Sequence, residues 1–230
     1  MAKTKAEGFT TQAEILRQNN DTKSIGLCTP LSNLYADWRM GLGTRTFLET
    51  SAAETYKLAK EMEQKQDTLR ANLSSSLFEK YSKSMDPKNA EFNAREAAAL
   101  LSLHYAYYNN HVLFNTKREP ISTMEKAQGI KSSVGDSEHV MVNYPTGDSG
   151  LNSVTTPQSH QVYFGADYAT NRCYYFNSNL PRSEKVGPCA EVLELMAQDI
   201  KHNAAKDGRP CLVSYSIPNP FKLLASPNNP

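Results

Sequence analysis

Apolar positions follow a helical period in the first half of the chain and an alternating one in the second. Leu31, Leu34, Tyr35 and Trp38 recur at helical spacing, Thr29 and Pro30 suit a helix start, and Gly41 and Gly43 suit a stop. This predicts a helix over residues 29–40 with Cys28 at its amino end. Leu58, Met62, Leu69, Leu73, Leu77 and Tyr81 extend a longer amphipathic signal over 52–83, which Asp86 and Pro87 interrupt. Ala97, Leu100, Leu101, Leu103 and Tyr107 predict a further helix over 88–112. The first 20 residues are polar apart from Phe9, Ile15 and Leu16, which leaves a short helix or irregular chain open.

Near 115–135 the pattern changes: Pro120, Gly129, Gly135 and several Ser and Lys read as a connection, with a short helix near 121–128. Beyond it the period is two. Strands are predicted over 138–144, 161–166, 172–176 and 211–217, the middle pair forming an antiparallel hairpin about a turn at 167–171. Residues 188–203 read as a helix with Val192, Leu193, Leu195, Met196 and Ile200 on one side. The fold class expected is α+β, a helical amino-terminal half packed on a small antiparallel sheet. Residues 1–20 would be a polar leading segment, 21–217 the domain, and 218–230 a proline-rich tail.

Composition narrows the function. The 230 residues carry 25 Lys+Arg against 24 Asp+Glu, a formal net charge of +1, and the basic residues form no stripe interleaved with aromatics. A partner drawn by charge, such as nucleic acid, is not expected. Apolar runs are too short to span a bilayer, and Lys3 and Lys5 are not followed by the apolar stretch of a Sec-type signal. Four cysteines do not make a disulfide framework in a chain of this length, which favours a reducing compartment. Cys173, Cys189 and Cys211 lack metal-ligand spacing, and His104 and His111 stand two helical turns apart, so no metal or cofactor is expected.

Cys28 is the candidate nucleophile. At a helix start it meets unpaired N–H groups and the positive end of the helix dipole, which favour the thiolate. A thiol nucleophile needs a base, and the base an orienting group. His160 opens the first strand of the hairpin, and Asn177 or Asn179, just past the second, emerges at the same end. Asn177 is the preferred orienter and Asp167, near the turn, a weaker substitute. His139 is a rival base without a clear orienter, and residues 147–150 (Gly-Asp-Ser-Gly) mimic a serine-protease turn outside an all-β context. The amides upstream of Cys28 that could complete an oxyanion hole are Gln18 and Asn20.

These residues resemble a known family. Gly26-Leu27-Cys28, followed by Leu31-Ser32 and Trp38, is similar to the nucleophile segment of the YopT-type effector cysteine proteases, a branch of the papain-like superfamily. His160-Gln161-Val162-Tyr163 resembles its histidine strand, and Phe176-Asn177-Ser178-Asn179 stands where a Phe-Asp-Pro-Asn stretch is expected. The resemblance implies a papain-like fold and a thiol hydrolase acting on a protein substrate. It also implies a secreted bacterial effector at work in a host cytoplasm; a protein of the bacterial cytoplasm is the alternative. Asn177 departs from the family's Asp and is a weaker partner for an imidazolium. The same triad would serve a deamidase, transglutaminase or acyltransferase, since all pass through a thioester, and the fold would also serve a non-catalytic interaction domain.

Overall fold

The computed structural model describes residues 11–22, 26–42, 51–73, 110–147, 159–180 and 183–220, with 65–73 described as helical backbone. Outside these lie residues 74–83 of the long amphipathic signal, 88–109 of the helix expected after it, the Asp148-Ser149-Gly150 part of the serine-like turn, and the tail from 221. Among the described residues the strands are β1 (His111–Glu119), β2 (His139–Pro145), β3 (Ser159–Asp167), β4 (Arg172–Phe176), β5 (Glu184–Pro188) and β6 (Cys211–Pro218). The helices are α1 (Gln12–Gln18), α2 (Cys28–Arg39), α3 (Ala52–Leu73), α4 (Ile121–Met124), α5 (Ala127–Val134) and α6 (Cys189–Asn203).

The strands form one antiparallel sheet in the spatial order β1-β6-β2-β3-β4-β5. Alternation along the central strands sends side chains to both faces, and both are covered. On one face Val140, Val142, Tyr144, Val162, Phe164, Tyr175 and Val213 pack with Met124, Ile130 and Val134 of α4–α5 and with Val192, Met196 and Ile200 of α6. On the other, Met141, Tyr163 and Phe176 pack with Ile15 of α1, Leu31 and Tyr35 of α2 and Ala59 of α3. The sheet is thus the middle layer of three. No described helix is long and apolar enough to cross a membrane.

Four expectations are corrected. Residues 111–119 are an edge strand, not the end of a helix followed by a connection. A second edge strand at Glu184–Pro188 was not expected at all. Cys173 and Cys189 are joined as a disulfide, closing a separation of 16 residues between β4 and the start of α6, so Cys28 and Cys211 are the free thiols. The short helix expected near 121–128 is two pieces, α4 and α5, divided at Glu125–Lys126.

Candidate active site

The nucleophile segment is built by a glycine turn and a long-range amide contact. Gly26 has φ of +136°, a conformation that side-chain-bearing residues avoid, and a Cβ there would sit 3.4 Å from the Gln12 side-chain oxygen. That oxygen accepts the Leu27 backbone N–H at 2.7 Å. α2 begins at Cys28, one residue before the expected start, with Leu27 as its N-cap and no capping side chain. Ser32, one turn on, donates its hydroxyl to the Gln161 carbonyl at 3.0 Å, fixing the start of α2 against β3 next to His160.

The hairpin brings the other groups in. Tyr163 pairs with Phe176 and Tyr144 with His160, so His160 at the start of β3 and Asn177 beyond β4 share one end of the sheet. The buried His160 ring has its Nε2 at 2.8 Å from Asn177 Oδ1. Asn179 approaches the other ring nitrogen, its Nδ2 lying 3.5 Å from Nδ1, and its backbone N–H donates to Asn177 Oδ1 at 2.9 Å. The Cys28 thiol faces His160, and each shifts the other's protonation. Cys28, His160 and Asn177 therefore converge from α2, β3 and the turn after β4.

Electrostatics at the pair oppose burial. Burial pushes the Cys28 thiol up, but hydrogen bonding and charge from His160, with hydrogen bonds from the Gln161 backbone and Thr29, bring it below the ordinary thiol range. Burial pushes the His160 imidazole down, and the Cys28 thiolate, the Asn177 amide and the charge of Asp199 bring it above the ordinary histidine range. Opposite shifts in two facing groups favour the thiolate and the imidazolium together, and their protons titrate as a unit.

Beyond Asn177 lies a carboxylate that the sequence reading missed. Asp199 on α6 accepts from Asn177 Nδ2 at 2.8 Å, Tyr175 Oη at 2.5 Å and Tyr144 Oη at 3.1 Å, all on one oxygen. Its other oxygen accepts from Asn203 Nδ2 at 2.9 Å. The available signal was an acidic residue beside the buried Met196 and Ile200 face of a helix, where a carboxylate needs partners.

The remaining candidates fall elsewhere. Asp167 lies at the far end of the hairpin, holding the Thr170 hydroxyl at 2.7 Å, and does not reach His160. His139 is at that end too, its Nδ1 2.6 Å from Tyr163 Oη, and burial holds its imidazole below the ordinary histidine range. Gln18 is exposed and bonded to Glu14, and Asn20 is exposed in the turn after α1. The upstream amide at the nucleophile segment is instead Gln12, one α1 length earlier. Its side-chain N–H donates to Asn179, and its backbone N–H to the Ser178 carbonyl at 2.7 Å. Gln12 thus ties the start of α2 to the turn that carries Asn177.

No protein-family model matches the chain, and no curated protein matches it in sequence. A solved structure does: the crystal structure of the Pseudomonas avirulence protein AvrPphB is similar to this chain with a TM-score of 0.50 and 16% identity, covering 91% of this chain and 96% of that one. The likeness is one of fold, and it supports the α+β class expected from the sequence.

Proposed function

We propose that this chain is a papain-like thiol hydrolase acting on a protein substrate, with Cys28 as nucleophile, His160 as acid and base, and Asn177 as orienter. The observation that carries the reading is the convergence of Cys28, His160 and Asn177, with His160 Nε2 2.8 Å from Asn177 Oδ1 and with Cys28 and His160 shifting each other's protonation. The Cys28 thiolate attacks a carbonyl carbon, and the backbone N–H groups of the first turn of α2 face the developing oxyanion. His160 delivers its proton to the leaving amine as the C–N bond breaks, which leaves a thioester. It then takes a proton from water, whose oxygen attacks the thioester carbonyl; the C–S bond breaks, the carboxylic acid leaves, and the Cys28 thiolate is restored beside a protonated His160. The neighbour in fold is an avirulence protein, which supports a bacterial effector acting on a host protein inside a host cell.

The test is labelling with a thiol-directed electrophile at pH 7, followed by peptide mapping. Selective labelling of Cys28 over Cys211, lost in His160→Ala, is the expected result. Equal and slow labelling of both thiols in the native protein would overturn the proposal.

A further inference from the structure

The Asn177 amide has two ends that look alike in shape and differ in chemistry. Asp199 at one end and the Asn179 backbone N–H at the other decide between them. A carboxylate only accepts, so the end of the amide that faces it must be the NH2 group. Asn177 Nδ2 lies 2.8 Å from Asp199 Oδ2, and Oδ1 is thereby turned to His160. An amide oxygen only accepts as well, so the ring must present N–H at Nε2. The nitrogen left to face the thiol is Nδ1. The amide is held at both ends, by Asp199 at Nδ2 and by the Asn179 backbone N–H, which donates to Oδ1 at 2.9 Å, and the tautomer of the imidazole and the nitrogen that exchanges a proton with Cys28 follow from that orientation.

We propose that Asp199 is the positioning residue of this site. Its carboxylate fixes the Asn177 amide and supplies, one hydrogen bond further out, the negative charge that an Asn orienter lacks. The proposal rests on the thiol-hydrolase reading above. It accounts for a departure that otherwise weakens the site: the charge is displaced by one residue rather than lost.

Groups from every element packed on the series surround it. Tyr144 from β2 and Tyr175 from β4 donate to Asp199, and Asn203 donates from α6 itself. Cys28 faces His160 from α2, and Asn179 faces it from the turn; the Tyr144 ring stands edge-on to His160 with centroids 5.4 Å apart. Among the described residues no Lys or Arg pairs with Asp199, so nothing there cancels its charge at His160. The tyrosines and Asn203 neutralise its lone pairs without adding a positive charge.

Iodoacetate and iodoacetamide separate the two roles without a substrate. Both report the thiolate; the anionic reagent also reports the imidazolium beside it. In the native protein the ratio of their rates on Cys28 falls as His160 loses its proton. Asp199→Asn keeps an acceptor and removes the charge. It is expected to move that fall to lower pH by about one unit, the effect of one charge some 7 Å away at an intermediate dielectric. Asp199→Leu removes the acceptor too and leaves the Asn179 N–H to orient the amide by itself; above the pH of the fall, where the ring is neutral, nitrogen NMR of His160 is expected to show a mixture of ring tautomers in place of Nε2–H alone. The exchange N177D/D199N returns a carboxylate to the series and is expected to bring the fall back toward the native pH. Should Asp199→Asn not fold, Asp199→Ser carries the same expectation.

A merely structural Asp199 would lower the melting temperature and leave the pH of the fall unchanged, and that result overturns the proposal. A native Cys28 with ordinary, slow reactivity instead sinks the hydrolase reading itself. A reactive native Cys28 whose profile ignores Asp199→Asn sinks only this inference.

Discussion

Cys28 and Cys211 are both free thiols, and their surroundings drive them in opposite directions. Burial, with the nearby Glu119 carboxylate, pushes Cys211 up to about 12. Burial acts the same way on Cys28, but His160 outweighs it. The sign of the pH dependence follows. For the proposed hydrolase, activity should rise on the acid side as Cys28 loses its proton, below the ordinary thiol range, and fall on the alkaline side as His160 loses its proton, above the ordinary histidine range. Iodoacetamide at pH 7 should therefore modify Cys28 and spare Cys211. Asn177→Ala deletes the acceptor at His160 Nε2 and should slow that modification by about tenfold, the equivalent of one pH unit in the pair. The rate at high pH, where every thiol is ionised, should stay close to native. An equal loss at both pH values would mean a blocked or unfolded site instead. At this scale the residue types were legible in the sequence and their outer partners were not. Cys28 at a helix start and His160 at a strand start are local signals. Gln12 and Asp199 reach the site from 16 positions before Cys28 and 22 after Asn177; no local pattern marks Gln12, and the acidic residue beside an apolar helix face that marks Asp199 does not say which site it serves.

Elements divide by where they lie in the sheet. The central strands β2, β3, β4 and β6 were legible, because residues that must fill two apolar layers write their period into the sequence. The missed strands, β1 and β5, are the two edges. Residues 113–116 in β1 are exposed, and β5 (EKVGP) carries a glycine, a proline and two charges; edges shed the hydrophobic signal that marks a strand and thereby resist pairing with other chains. Helix α2 was legible from its apolar face, while its anchors were not. At its far end Arg39 lies between aromatic rings, 4.3 Å from the Trp38 centroid and 3.9 Å from that of Tyr174, and pairs with Glu184 of β5. Tyr35 also donates to Glu184 and stacks on Phe176 with centroids 4.5 Å apart. Arg39 thus binds α2 to β4 and β5 at the end opposite Cys28. Arg39→Lys keeps the charge but not the planar fork that stacks and pairs at once. It should lower stability by about 1–2 kcal/mol, read by urea unfolding, with Cys28 labelling at pH 7 unchanged. Loss of labelling in a variant that remains folded would show that the far end of α2 also sets the thiol's position.

At the scale of the molecule, the disulfide tests how separable stability and chemistry are. The cysteine count gave no hint of it, because four cysteines at irregular spacing fit a reducing cytosol equally well; only the fold brings Cys173 and Cys189 within bonding distance. Both elements it joins run from the bond toward the site. Cys173 is near the start of β4 and Asn177 follows its end, about 13 Å along an extended strand. Cys189 begins α6 and Asp199 lies ten positions on, about 15 Å along the helix. The bond therefore ties the far ends of the two elements that hold the orienting amide and its carboxylate, and the near ends are held by the Asn177–Asp199 contact itself. Removing the bond frees a loop of this length in the unfolded chain and should lower stability by about 3 kcal/mol at most, or roughly 6–12 °C in a chain of this size. The rate of Cys28 with iodoacetamide at 25 °C should stay within about twofold of native, because a folded chain retains the hydrogen bonds at the site. The double variant Cys173→Ser/Cys189→Ser, melted with and without reductant, separates the two quantities. A protein delivered into a reducing cytosol would then lose the bond and keep its chemistry, whereas a fall in Cys28 reactivity well below the melting range would make the bond part of the site and bind the activity to an oxidising compartment.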